Sequence, residues 1–168
     1  MTELLDQLLN RIDAGEAVAV CVVARARGST PQKAGAIMLV TADGRTIGTL
    51  GGGCVEAEVR TRALSQIATG RGAMLTFKLD HDYGWDDGLV CGGTMQIATM
   101  IIRADRSADL WREARRALEA GTDAVLALAA PEESGAMQSF ELTIEPTPRL
   151  IIAGAGHVGA ALGQIAIP

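Results

Sequence analysis

Apolar residues change period along the chain, and each change marks an element. Leu4, Leu5, Leu8, Leu9 and Ile12 recur at helical spacing, which predicts a helix over Thr2–Asp13 with Thr2 as cap and Gly15 as stop. Residues 17–24 are continuously apolar and rich in valine, the pattern of a strand covered on both faces. Cys21 lies within it and reads as a small core hydrophobe. Strands are predicted over 36–41 and 46–50, joined by a tight turn at Asp43-Gly44. A helix follows over 54–69, with Val55, Val59, Ala63 and Ile67 inward. Its exposed side offers Glu56 with Arg60 and Glu58 with Arg62 as i,i+4 ion pairs.

The second half continues the alternation. Strands are predicted over 73–79, 94–102, 124–129 and 139–145, and a helix over 105–120 with Leu110, Ala114, Ala117 and Leu118 inward. Residues 80–93 form an irregular loop carrying four aspartates. Alternating strands and helices predict an α/β domain with a mixed sheet flanked by helices over residues 1–145; the Asp43-Gly44 hairpin argues against a purely parallel sheet. Pro146 and Pro148 punctuate the chain as a linker, so residues 146–168 are expected to be a linker and the start of another domain.

Composition narrows the function. The 168 residues carry a formal charge of -5, with 48% hydrophobic and 21% charged residues, which suits a packed core. Acidity and the absence of basic runs argue against nucleic acid, because phosphate backbones are bound by clustered Lys and Arg. Two Trp, one Tyr and two Phe are too few for a base-stacking platform. No apolar run reaches the ~20 residues of a membrane span. Cys21, Cys54 and Cys91 are widely spaced and form neither a disulfide framework nor a CxxC metal site, which points to reduced thiols in a cytoplasm.

The 20 glycines exceed the usual ~7% and gather in short loops. In TLGGGCVE, Gly51, Gly52 and Gly53 run into a helix, so neighbouring N–H groups and the macrodipole can favour an anion such as phosphate. Cys54, in the first turn, would gain thiolate character there. The same glycines equally suit a tight strand-to-helix turn with an inert thiol. In GLVCGGTM, Cys91, Gly92 and Gly93 would let backbone approach a ligand, or mark a bulge at a strand start. If Cys54 and Cys91 meet, a soft metal or a sulfur-bearing ligand is their chemical match. In GSTPQKAG, Ser29 and Thr30 offer hydroxyls and Lys33 a cation, though an ordinary surface turn has the same composition. Asp80, His81, Asp82, Asp86 and Asp87 could form a hard-cation site or simply a solvated acidic loop.

Near the end, LIIAGAGHVG places Gly154, Gly156 and Gly159 between an apolar strand over 150–153 and a small-residue helix, the strand-turn-helix setting of a dinucleotide fingerprint. Such a unit spans ~30 residues and needs an acidic residue ~20 positions on. Nine residues follow Gly159, so an NAD(P) site would be incomplete in this truncated opening of a Rossmann domain. The apolar strand would lack its sheet, so it is expected to pair with another chain, giving a homo-oligomer, or to pack on the first domain.

Taken together, GSTPQKAGAIMLV, IGTLGGGCVEAEV, GLVCGGTMQI and LIIAGAGHVGAAL, in this order, resemble the XdhC/CoxI family. The resemblance runs from the first helix to Gly159. It implies an N-terminal domain of that type followed by a Rossmann domain. It also implies a maturation chaperone rather than an enzyme with its own turnover. Such a protein binds the molybdenum cofactor, protects it while a cysteine desulfurase supplies the terminal sulfur, and delivers it to an apo molybdenum hydroxylase of the xanthine dehydrogenase type. On that basis Cys54 and Cys91 would face the metal, Gly51, Gly52 and Gly53 would cradle the phosphate, and Ser29, Thr30, Lys33, Gly92 and Gly93 would support them. Glu56, one turn from the glycines, would order their loop. Competing expectations are an NAD(P)-dependent oxidoreductase in a longer chain, a non-catalytic assembly protein that binds no cofactor, and a metal module at residues 80–87.

Overall fold

The ten residues Val18–Arg27 form the strand on which the rest is built. Its first six side chains are all buried, because both faces of the sheet are covered. A computed structural model of the protein describes residues 1–79, 92–148, 150–154 and 156–166. In chain order the elements are α1 (Thr2–Asp13), β1 (Val18–Arg27), β2 (Ile37–Thr41), β3 (Thr46–Gly48), α2 (Gly53–Thr69), β4 (Ala73–Lys78), β5 (Thr94–Ile102), α3 (Asp109–Glu119), β6 (Ala124–Pro131), β7 (Met137–Ile144) and α4 (His157–Ala166).

The main sheet has five strands in the order β3-β2-β1-β5-β4. The expected α/β class with helices flanking a sheet is borne out. Every pairing in the sheet is antiparallel, however, where a mixed sheet was expected. The connection through α2 returns the chain to β4 at the far edge, beside β5, so no strand acquires a parallel neighbour. Strands β6 and β7 form a separate antiparallel hairpin.

Each sheet face buries its own core. Ala19, Cys21, Val23, Met95 and Ile97 meet Val55, Val59 and Ala63 of α2. On the opposite face, Val18, Val20 and Val22 meet Leu5, Leu8 and Ile12 of α1, Trp111, Ala114 and Leu118 of α3, and Leu126, Leu128, Leu142 and Ile144 of the hairpin. Each fully covered aliphatic side chain contributes about 2 kcal/mol from apolar burial. Alternation along β6 is strict, with Ala124, Leu126, Leu128 and Ala130 buried.

Several expectations change on folding. Thr2 does not cap α1: the helix begins at Thr2 itself, the cap position falls to Met1, and no side chain bonds there. Gly15 does follow the helix end, with φ of 83°. The predicted helix over 105–120 starts instead as a short 3-10 turn, Arg106–Ala108, capped by the Asp105 side chain accepting from the Ser107 N–H at 2.8 Å. Residues 150–153 form no strand, although α4 follows as expected. A strand needs a ladder partner, and none is present among the described residues. Leu150 and Ile151 are 62% and 87% exposed, so they do not pack on the preceding domain, and α4 buries no residue.

Trp111, 1% exposed, is the largest side chain in the core. Trp111→Ala is expected to lower the unfolding free energy by about 3–5 kcal/mol in urea denaturation. Val125→Ala, on the exposed face of the same hairpin, should stay within about 0.5 kcal/mol of the parent.

Candidate functional site

Three loops meet at one end of the main sheet. The 28–35 loop leaves β1 and enters β2; residues 49–52 join β3 to α2; Gly92 and Gly93 lead into β5. Most of their close contacts are backbone on backbone, with the Gln32 side chain also against Gly51. A Cβ on Gly51 would lie 2.7 Å from the Pro31 carbonyl carbon, and one on Gly93 would lie 2.2 Å from the Ser29 carbonyl oxygen. Only glycine permits such approach, and Gly51 also has φ of 100°. The three sequence loops thus share one place. Gly52, Gly53 and Gly92, by contrast, border open space, with nothing within 4 Å of an added Cβ.

Glu56 organises the second loop. Its Oε1 accepts from the Thr49 hydroxyl at 2.5 Å, the Leu50 N–H at 2.8 Å and the Gly51 N–H at 3.1 Å. The Gly51 N–H also reaches the Thr49 hydroxyl oxygen at 3.0 Å. The Thr49 hydroxyl first, and then the N–H groups of Leu50, Gly51 and Gly52, hold the Glu56 carboxyl below the ordinary range against an opposing effect of burial. A carboxylate of the chain itself therefore fills part of the anion nest, as the macrodipole favours. The first helical bond runs from the Glu56 N–H to the Gly52 carbonyl at 3.2 Å, so the N–H groups of Gly53, Cys54 and Val55 have no intrahelical acceptor.

The expected Glu56–Arg60 pair is not formed, because both partners are engaged elsewhere. Arg60 Nε donates to the Gly44 carbonyl at 2.6 Å and ties the β2–β3 turn to α2. The Glu58–Arg62 pair is formed, at 2.8 Å.

Cys54 is the second residue of α2, a free and half-exposed thiol. Cys21 is fully buried, and burial pushes its thiol up to about 12, as a core role requires. Ser29 and Lys33 are exposed, and the half-buried Thr30 donates from its hydroxyl to the Gln32 carbonyl at 2.9 Å. Cys91 and the acidic run at residues 80–87 lie outside the described residues. Among the described residues no group of three or more His, Cys, Asp or Glu is arranged to hold a metal. In the fingerprint segment, Gly159 packs close: a Cβ there would meet the Gly154 carbonyl oxygen at 2.8 Å and an Ile152 methyl at 3.3 Å. Gly154 has φ of 136°, and Gly156 borders open space.

A polar cleft of about 550 Å³ also opens at this end of the sheet, between β4–β5 and the β6–β7 turn. Gln96 is its one sequence signal, a polar residue inside the apolar run of β5.

The model of the XdhC and CoxI family matches residues 11–78, which carry both the 28–35 loop and the glycine nest. A curated relative from Bacillus subtilis (strain 168), named as a probable xanthine dehydrogenase subunit, is 33% identical over 158 residues. That match takes in 93% of this chain and 42% of the relative. A solved xanthine dehydrogenase from Bacillus halodurans shares the fold, with a TM-score of 0.66 and 22% identity over 88% of this chain and 45% of its own. The chain spans less than half the length of either protein. The segment that builds most of the sheet and the glycine nest is thus the part of the chain that is similar to the XdhC and CoxI family.

Gly51→Ala is expected to cost about 1–3 kcal/mol in chemical denaturation, and Gly53→Ala to be neutral or slightly stabilising, since only the first meets backbone at positive φ. Glu56 has its folded pKa below the ordinary 4.5, so its contribution is present above that value and is lost as pH falls through the folded pKa. In Glu56→Gln, the fall in melting temperature over that acidic window should be shallower than in the parent.

Proposed function

We propose that this chain is the N-terminal part of an accessory protein for a xanthine dehydrogenase-type molybdenum hydroxylase. It binds the molybdenum cofactor at the three-loop end of the sheet, protects it during sulfuration with a cysteine desulfurase, and delivers it to the apo-enzyme. One observation carries this most directly: the family match covers both loops that the fold packs together beside Cys54. The name of the Bacillus subtilis relative supports the choice of target.

The residues present suit such a group. Cys54 is a free thiol on the first turn of α2, a soft ligand for a molybdenum centre. The free N–H groups of Gly53, Cys54 and Val55 favour an anion beside it, and Gly52 and Gly53 leave room for one. Ser29 and Lys33 are exposed on the adjoining loop and add a hydroxyl and a cation. Cys91, by its place in the sequence before Gly92 and Gly93, is assigned as the second thiol. Glu56 keeps the loop ordered with its own carboxylate, so the ligand's anion uses the remaining N–H groups. The bound cofactor would supply redox chemistry only after transfer; here the chain's task is to hold it and exclude solvent. Residues 1–145 are assigned to this role, and residues 146–168 to the linker and start of a Rossmann domain.

Anaerobic mixing with molybdenum cofactor, followed by gel filtration, tests this. Molybdenum and pterin fluorescence should co-elute with the protein and fall at least tenfold in Cys54→Ser and Cys91→Ser. Unchanged co-elution in both variants would remove the thiols from the site. No co-elution even with a chain carrying a whole second domain would overturn cofactor binding.

A further inference from the structure

The two edges of the main sheet differ. β3 has three residues, whereas β4 has six, with neither a proline nor a bulge. A strand edge of that kind is a template for another strand. Leu79 donates its N–H inward to the Gly93 carbonyl at 2.8 Å. Backbone direction alternates along a strand, so Phe77, Leu75 and Ala73 also face β5, while Met74, Thr76 and Lys78 turn their N–H and C=O groups outward. Those groups have no partner among the described residues. Thr76 and Lys78 are exposed, and Leu75 and Phe77 are half-buried.

Side chains alternate along the same edge. Leu75 and Phe77 lie on the α2 side with Ile97 and Met95, their partners across the ladder. Met74, Thr76 and Lys78 lie on the hairpin side and line the polar cleft, together with Glu132 and Glu133. Gln138 Nε2 donates to Gln96 Oε1 at 3.0 Å, which ties the hairpin to this part of the sheet. Charge is unevenly spread here. Through Thr94, Lys78 stands in one row with Arg27, and Arg25 lies across from Gln96 on the same face. Neither Lys78 nor Glu132 nor Glu133 has an ion pair among the described residues.

We propose that β4 pairs with β4 of a second copy of this chain, antiparallel about a two-fold axis at Thr76, so that two five-stranded sheets become one. The strand is self-complementary in that register. Thr76 meets its own copy, and Met74 and Lys78 meet each other. These are the outward-facing residues, so every free N–H and C=O of Met74, Thr76 and Lys78 gains a partner. Between them Leu75 meets Phe77 of the second copy on both sides of the axis, as non-hydrogen-bonded pairs whose side chains approach most closely. An axis at Leu75 would instead put Lys78 opposite Gly72, outside the strand.

The occupant is set by charge as well as by register. Directly opposite residues share a face, so Lys78 of the second copy arrives beside Met74, in the cleft that Glu132 and Glu133 line. Each cleft is completed by a cation from the other chain. This edge is distinct from residues 150–153, whose apolar composition suggested a contact between chains, and the pairing does not depend on cofactor binding at Cys54.

Gel filtration with light scattering tests it. The parent should run at twice its 17.5 kDa at micromolar concentration. Thr76→Pro should run as a monomer with an unchanged far-UV circular dichroism spectrum, because an edge strand tolerates proline where the N–H points outward, while the two-fold pairing loses its central bonds. Lys78→Glu, at an exposed position, should weaken association at least tenfold, and adding Glu132→Lys with Glu133→Lys should restore it. That variant keeps the test valid if Thr76→Pro fails to fold. A short bis-maleimide should join Thr76→Cys chains into a covalent dimer, while the parent, with its free Cys54, stays unjoined. A monomeric parent, a folded Thr76→Pro chain that still dimerises, Lys78→Glu dimers as tight as the parent's, or no joining at residue 76 would overturn the proposal.

Discussion

The geometry of this protein rests on backbone meeting backbone where β1, β3 and β5 reach the same end of the sheet. Gly51 lies against the Pro31 carbonyl and the Gln32 side chain, and Gly93 against the carbonyls of Ser29 and Arg27. Contacts this close tolerate almost no adjustment, because neither side can rotate away as a side chain can. They fix the direction in which α2 starts and the point at which β5 enters. The placement of Cys54 follows from the first, and that of Gln96 from the second.

Much of this was legible in the sequence, and the reason is periodicity. The leucines of α1 and the valines of β1 bury what their spacing requires, and Thr94–Ile102 is a strand with the predicted bounds. The glycine loops were legible as sites of close approach, but not as neighbours, since strand order is a tertiary fact. Sequence spacing also suggested that Glu56 and Arg60 would pair. Helical neighbours at i,i+4 gain only about 0.2–0.5 kcal/mol, so a cluster of loop donors for one and a turn carbonyl for the other prevail. The strand over 150–153 was read from apolar composition alone, and composition cannot supply a ladder partner. Gln138 sits at a half-exposed position of β7 and acquires meaning only because the hairpin folds over β5.

The two faces of the sheet divide the chemistry. Toward α2 stand a free thiol, open N–H groups and an internal carboxylate; toward the hairpin stand an amide pair and three cations. Antiparallel pairing makes the division possible. Successive residues of β5 point to opposite faces, so Met95 and Ile97 serve one core while Gln96 opens on the other side. A chain with so few aromatic residues therefore presents polar side chains on one surface and a free thiol on the other, with a single layer of backbone between them.

The engagement of Glu56 and Arg60 also bears on how α2 can move. One residue reaches back to the glycine loop, and the other, a turn later, reaches the β2–β3 turn. The helix is thus keyed at two points along its length. A rotation of one residue, roughly 100° at 3.6 residues per turn, would disengage both keys together. The helix consequently has one rotational setting rather than a continuum, and the thiol at its start inherits that fixed bearing.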